Sequence, residues 1–205
     1  MCFSATASFT ASGVLAVVGT ATLAKSKRRE DRLFASFPLL FAIQQAIEGV
    51  AWVTLGSALI STIAAYGYVL FSHVFWPIFT PYAIYRIEKD PIRKTLLRLC
   101  IYAGTAIGLY LLYFIFTSPI YAQVFDHSLA YPAPLAYPFT SFFLYLVATC
   151  GSCFLSSDRI INTFGAALFV AFGISYFFFT ATLFSVWCFF AAILSIVVYW
   201  YVLSR

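Results

Sequence analysis

The stretch Phe41-Ala42-Ile43-Gln44-Gln45-Ala46-Ile47-Glu48-Gly49-Val50-Ala51-Trp52 puts an acid inside an apolar run long enough to cross a bilayer. Neighbours on a helix face are three or four residues apart, so positions 41, 44, 45, 48 and 52 share a face. That face reads Phe, Gln, Gln, Glu, Trp. A charged residue near the bilayer centre costs roughly 2.5–3.5 kcal/mol on insertion scales, so it usually faces a bundle interior or a wet cavity. A protonated Glu donates a hydrogen bond as well as accepting one. Such a face can coordinate an ion, relay a proton or hold a small polar solute. It can also cross-link helices without further function.

A second chemistry would use thiols. If Met1 is removed, which the small second residue favours, Cys2 presents an amine and a thiol together. That pair suits a soft transition metal at the outer face, with Cys188, Glu48 or His127 completing the set. Cys150-Gly151-Ser152-Cys153 is a CxxC, and Cys100 is a third thiol on the same side. No second CxxC at zinc-binding spacing accompanies it, so these cysteines read first as small packing residues. His73, just before Trp76 and Pro77, is a further polar candidate within an apolar run.

Several chemistries are excluded by residue type. A retinal Schiff base needs a lysine within a late helix, and none occurs after Lys94. The two histidines fall at different depths, which opposes a zinc hydrolase or an intrachain bis-histidine haem. No phosphate-cradling glycine loop or nucleophile elbow is present.

The elements that must position these residues follow from hydropathy. The chain has 205 residues, 63% hydrophobic and 9% charged, with a mean hydropathy of +0.94. Soluble domains are nearer half apolar and a quarter charged. Apolar runs near 3–24, 33–55, 58–85, 96–117, 133–155, 160–178 and 181–203 predict an all-α integral membrane bundle of about seven transmembrane helices. Residues 1–205 then form a single polytopic transmembrane domain. The net charge of +5 does not indicate nucleic acid, because the basic residues sit in short loops. Lys25 to Arg32, Arg86 to Arg98, Arg159 and Arg205 hold all 12 of them, on one side of a seven-helix threading. The positive-inside rule makes that side cytoplasmic, with the N-terminus outside and the C-terminus inside.

Serines at 4, 8 and 12 and the Gly104/Gly108 pair are small-residue faces, suited to internal packing or to a homo-oligomer in the bilayer. Pro77 and Pro81 predict a kink or an unwound segment in the third run. Counting back from the turn at Gly56-Ser57 puts Glu48 level with Ala65 and Tyr66, and Gln44 and Gln45 level with residues 68–70. His73 then lies ~12 Å deeper, with Gln44 placed to bridge it to Glu48. Ser8 or Ser12 and, in the last run, Ser185 and Cys188 reach the depth of Glu48. The expectation is an outward-facing polar pocket of Glu48, Gln44, Gln45, Ser8 or Ser12, Tyr66 and Cys188, with His73 and Trp52 as further solute- or ion-binding residues. The loop 118–133, carrying Asp126 and His127, reads as a connector or a lid over it.

The opening Met1-Cys2-Phe3-Ser4-Ala5-Thr6-Ala7-Ser8-Phe9, with Pro38 to Gln45 and Glu48-Gly49, resembles a family of small bacterial polytopic membrane proteins of unknown function. The resemblance implies a bacterial inner membrane setting and brings no activity with it. On the residues alone, the expected function is handling of a small polar solute or ion by a transporter or channel. A metal or redox enzyme using Cys2, Cys188 and Glu48 is the alternative, and a seven-helix sensor is a third.

Overall fold

A backbone in hydrocarbon must satisfy its own N–H and C=O groups, and an α-helix does so within one segment. The computed structural model describes residues 4–132 and 138–205. In order these form α1 (Ala5–Lys25), α2 (Arg32–Ala35), α3 (Phe37–Val53), α4 (Ala58–Val69), α5 (Trp76–Ile87) and α6 (Pro91–Thr117). A hairpin of β1 (Gln123–Phe125) and β2 (Ser128–Ala130) follows. Then come α7 (Pro138–Leu146), α8 (Ser152–Phe154), α9 (Arg159–Phe178), α10 (Leu183–Leu194) and α11 (Val197–Leu203). Six continuous helical stretches among the described residues are long and apolar enough to cross a membrane, and a shorter apolar one spans Phe139–Phe154. The architecture is nearly all-α, and the hairpin is its exception.

Helix starts carry their expected caps. Asp90 Oδ1 accepts from Arg93 N at 2.8 Å ahead of Pro91, and Asp158 Oδ1 accepts from Ile160 N at 2.8 Å. Threonine hydroxyls within the spans bond back to the preceding turn, as Thr62 does to Ala58 O and Thr105 to Ile101 O.

Two turns are π-helical. Leu70–Phe75 joins α4 to α5, and Val147–Gly151 joins α7 to α8. The first has a chemical cause. Trp76 N–H bonds Phe71 O, five residues back. The next donor in that register would be residue 77, but Pro77 has no N–H. Ser72 O is left over, and the Tyr145 hydroxyl donates to it across the bundle. The irregularity expected from the prolines therefore sits one turn before them.

The basic loops gather at one end. Glu88, buried, accepts from Lys89 N, Asp90 N, Ser157 N and Ser157 Oγ at 2.6 to 2.9 Å. Arg93 Nη1 donates to Leu155 O and Ser156 O, the Tyr201 hydroxyl donates to Asp31 at 3.0 Å, and Arg205 pairs with Asp158. Next to this end lies an aromatic core, with Phe34 edge-on to Tyr201 and Phe41 stacked on Trp76 at 4.0 Å.

α6 packs closely on the bent third span. A Cβ on Gly104 would sit 1.8 Å from Pro77 O, whereas one on Gly108 would meet Ile78 Cδ1 at 3.0 Å. The two glycines therefore serve packing within the chain. Gly104→Ala is expected to lower stability by more than the ~1–3 kcal/mol typical of overpacking, because backbone cannot yield. Gly108→Ala should cost less, since a flexible side chain can move. Thermal unfolding of both in detergent checks this, and equal losses would contradict it.

Burial pushes the Glu88 carboxyl up, but the hydrogen bonds from Asp90, Ser157 and Lys89 outweigh it and hold it below its usual range. A depressed carboxyl stabilises fully above its unfolded value of about 4.3 and stops doing so as pH falls through the folded one. Glu88→Gln should therefore lower the melting temperature at pH 7. Its deficit against wild type should shrink as pH drops below about 4.

Candidate functional site

The acid-bearing face of α3 turns inward. Gln44, Gln45 and Glu48 are each 0% exposed. α1 runs antiparallel against this face: Phe9 packs on Gly49, and Ser12 Oγ donates to Ala42 O at 2.8 Å. That register sets the buried Ser8 against the turn of Glu48. α10 closes the other side, where Ser185 Oγ donates to Glu48 Oε1 at 2.5 Å. Cys188, one turn on, lies beside Gln44 and Tyr68.

Few of the polar atoms gathered here find partners. Gln44 Oε1 accepts from Trp76 Nε1 at 2.6 Å. Gln45 lies against the Glu48 carboxyl but meets hydrogen-bond geometry with neither amide atom. Glu48 Oε2, Gln44 Nε2 and Ser8 Oγ likewise meet no hydrogen-bond geometry, although Gln44 lies against the Cys188 thiol. Ser8 does not bond back to its own helix as the spanning threonines do.

A cavity of about 220 Å³ adjoins this cluster. Its walls include His73, Tyr131, Thr180, Thr182, Phe184 and Ser185. The hairpin and the connection between α9 and α10 contribute to it, so it lies toward the end away from the basic loops. His73 belongs to the π turn; its Nδ1 is 2.7 Å from Ser72 Oγ, and its ring lies 4.0 Å from that of Phe184. Tyr68 stands behind two of these walls, stacked on Tyr131 at 4.6 Å and donating to Phe184 O. A separate void of about 30 Å³ is bounded by Phe41, Trp76, Thr80, Tyr145, Trp187 and Cys188. That volume is enough for a water molecule.

The hairpin folds inward. Asp126 and His127 have φ of 43° and 62°, the left-handed pair of a type I′ turn. β1 is exposed and β2 fully buried, with Leu129 packed against Ala51, Ala64 and Trp52. Leu129 and Tyr131 thus roof the 220 Å³ cavity.

The candidate residues separate into groups. Glu48, Gln44, Gln45, Ser8 and Cys188 come together. His73 joins through the cavity it shares with Ser185, and that serine, not Gln44, links it to Glu48. Ser12 is tied to Ala42 O, and Trp52 packs under the hairpin. The Tyr66 hydroxyl reaches Ser118 O at 3.5 Å, away from the cluster. His127 is exposed at the hairpin tip while Cys188 is buried in the bundle. Cys2 lies outside the described residues, and among those described no group of three His, Cys, Asp or Glu is arranged to hold a metal. Cys150 and Cys153 are buried, with Gly165 packed on Cys153. Sequence reasoning set Ser185 at the right depth without making it a site residue, and it missed Tyr68, Trp76 and Tyr145.

Tyr145→Phe removes the donor to Ser72 O and should cost about 1–3 kcal/mol, the price of a buried unsatisfied carbonyl. Denaturant or thermal unfolding of the purified variant measures it. No loss would mean that the π turn does not need this bond.

The family model DUF6629, described as a family of unknown function, matches residues 1–205. No curated protein and no solved structure matches the chain.

Proposed function

The chain belongs to the DUF6629 family, whose function is unknown, and from the site geometry we propose that it is a multi-pass membrane protein handling a small polar solute or ion, as a transporter or channel. Glu48 is the coordinating or protonatable group, and Gln44, Gln45, Ser8 and Ser185 line its path. One observation carries this reading: Ser8 Oγ, Gln44 Nε2, Gln45 Nε2, Gln45 Oε1 and Glu48 Oε2 are buried together and none meets hydrogen-bond geometry, although Gln45 lies against the Glu48 carboxyl and Gln44 against Cys188. A buried unsatisfied polar atom costs about 1–3 kcal/mol. Side chains kept only to cross-link helices would be paired with one another. Polar atoms held open at membrane depth suit a guest that completes them.

The flanking cavities support a route. The 220 Å³ cavity reaches Ser185, the partner of Glu48, and the 30 Å³ void is walled by Trp76, the partner of Gln44, and by Cys188. The 30 Å³ void admits a guest of ion or water size. His73 guards the wider side.

The threading assigned to this function has seven crossings. Phe139–Phe154 is the short one, ~24 Å at 1.5 Å per residue, and local bilayer thinning accommodates it. With it counted, the loops after the first, third and fifth crossings and the C-terminus share one side. The contacts Tyr201–Asp31, Arg93–Ser156 and Arg205–Asp158 support that grouping. Positive-inside topology makes the side cytoplasmic, in a bacterial inner membrane, and the His73 cavity then faces outward.

The test is flux in proteoliposomes under imposed pH and Na⁺, K⁺ or NH₄⁺ gradients. Wild-type protein should carry one of these species. Glu48→Gln should fold normally and lose more than about tenfold of the rate, equivalent to ~1.4 kcal/mol of barrier. Ser185→Ala should lose less, since the Glu48 carboxyl remains. Full flux in Glu48→Gln would overturn the assignment of the site.

A further inference from the structure

The basic end holds a feature that solute passage does not use. Between the ends of α1 and α11 lies a cavity of about 330 Å³. Lys25, Lys27, Arg28 and Arg205 line it, against one acidic side chain, Asp31. Asp31 is already engaged, accepting from the Tyr201 hydroxyl at 3.0 Å with Arg28 Nε at 3.6 Å. Arg28 also pairs with Glu30, and Arg205 with Asp158. Lys25 and Lys27 have no ion pair among the described residues.

A neighbouring cavity of the same volume provides a contrast. It shares Arg28 and Arg205 and adds Lys89, but Glu88, Asp90 and Asp158 balance these three cations. The excess of positive charge is therefore local to the first cavity and is not a property of the whole basic end.

The wall next to the cations is apolar. Val202 and Leu203 form part of the cavity, and α1 packs on α11 just outside it. Beside the cavity, Trp200 and Leu203 on α11 and Val17 on the outer face of α1 are exposed, as side chains facing lipid would be. An exposed Trp beside basic residues marks the headgroup level of a bilayer.

We propose that this cavity binds the phosphate of an anionic membrane lipid, with the acyl chains lying along the α1–α11 seam. Lys25 and Lys27 supply the unspent charge, and Arg28 and Arg205 keep the cavity wall in place through their carboxylate partners. A soluble phosphate compound would meet the same cations but would leave the apolar seam unused, and salt would screen it more. The lipid fits both halves of the site.

Native mass spectrometry of the full chain tests this, with phosphatidylglycerol and phosphatidylcholine of identical acyl chains offered together. Wild type should retain one phosphatidylglycerol in preference to phosphatidylcholine. The double variant K25Q/K27Q should lose that preference by on the order of tenfold, as expected for two lysines near a lipid surface. The charge-matched control R29Q/K94Q, outside the cavity, should keep it. Both lysines are exposed, so the variant should fold, and unchanged thermal unfolding would show that it does. The proposal is overturned if wild type shows no preference, if K25Q/K27Q keeps it, or if the control loses it equally. Displacement by millimolar inorganic phosphate would overturn the lipid assignment and leave a soluble-anion site.

Discussion

Hydrocarbon offers no hydrogen bonds, so each polar group carried into it must be matched by the protein or by something the protein admits. This constraint organises the molecule. Thr62 and Thr105 meet it locally, by bonding the turn behind them. Trp187 meets it by reaching Leu168 O on a neighbouring helix. The Ser72 carbonyl, stranded by Pro77, meets it through Tyr145. Tyr110 and Ser175 also bury a hydroxyl without hydrogen-bond geometry, but singly, whereas beside Glu48 several such atoms gather on facing helices.

The bend in the third span connects this cluster to the cavity. The π turn redirects His73 toward Phe184, and Tyr145 fixes the turn from the side. Gly104 lets α6 press against the carbonyl of Pro77, so the irregular segment is held on two sides by protein. Irregular backbone at membrane depth survives only against protein or a cavity, and here it has both. The inward-folded hairpin then covers the cavity that the bend helps to form. Proline chemistry, a glycine contact and a tyrosine hydroxyl thus act together to set the approach to Ser185 and Glu48.

Much of this could be read from the chain, for reasons specific to particular residues. A 3.6-residue period put Gln44, Gln45 and Glu48 on one face, and all three are buried together. Counting from the Gly56-Ser57 turn fixed heights but not rotation about the helix axis. Residues two apart point in widely different directions on a helix, so Tyr66 at the right height faces Ser118 while Tyr68 faces the cluster. The hairpin escaped notice because its turn is Asp-His, lacking the glycine that usually signals a left-handed pair. The π turn was announced by Pro77, but its location depends on which carbonyls lose their donors. The bond from Ser185 to Glu48 joins residues 137 apart in sequence, a contact that periodicity cannot specify.

The central claim is that the polar atoms beside Glu48 stand open for a guest. It is tested most directly by an experimental density map of the protein in a lipid nanodisc, at a resolution that shows ordered water and ions. The account predicts a non-protein feature within hydrogen-bonding distance of Glu48 Oε2 and the Gln45 amide. A map in which protein atoms alone saturate both groups, or in which the Glu48 carboxyl points into lipid, would contradict it.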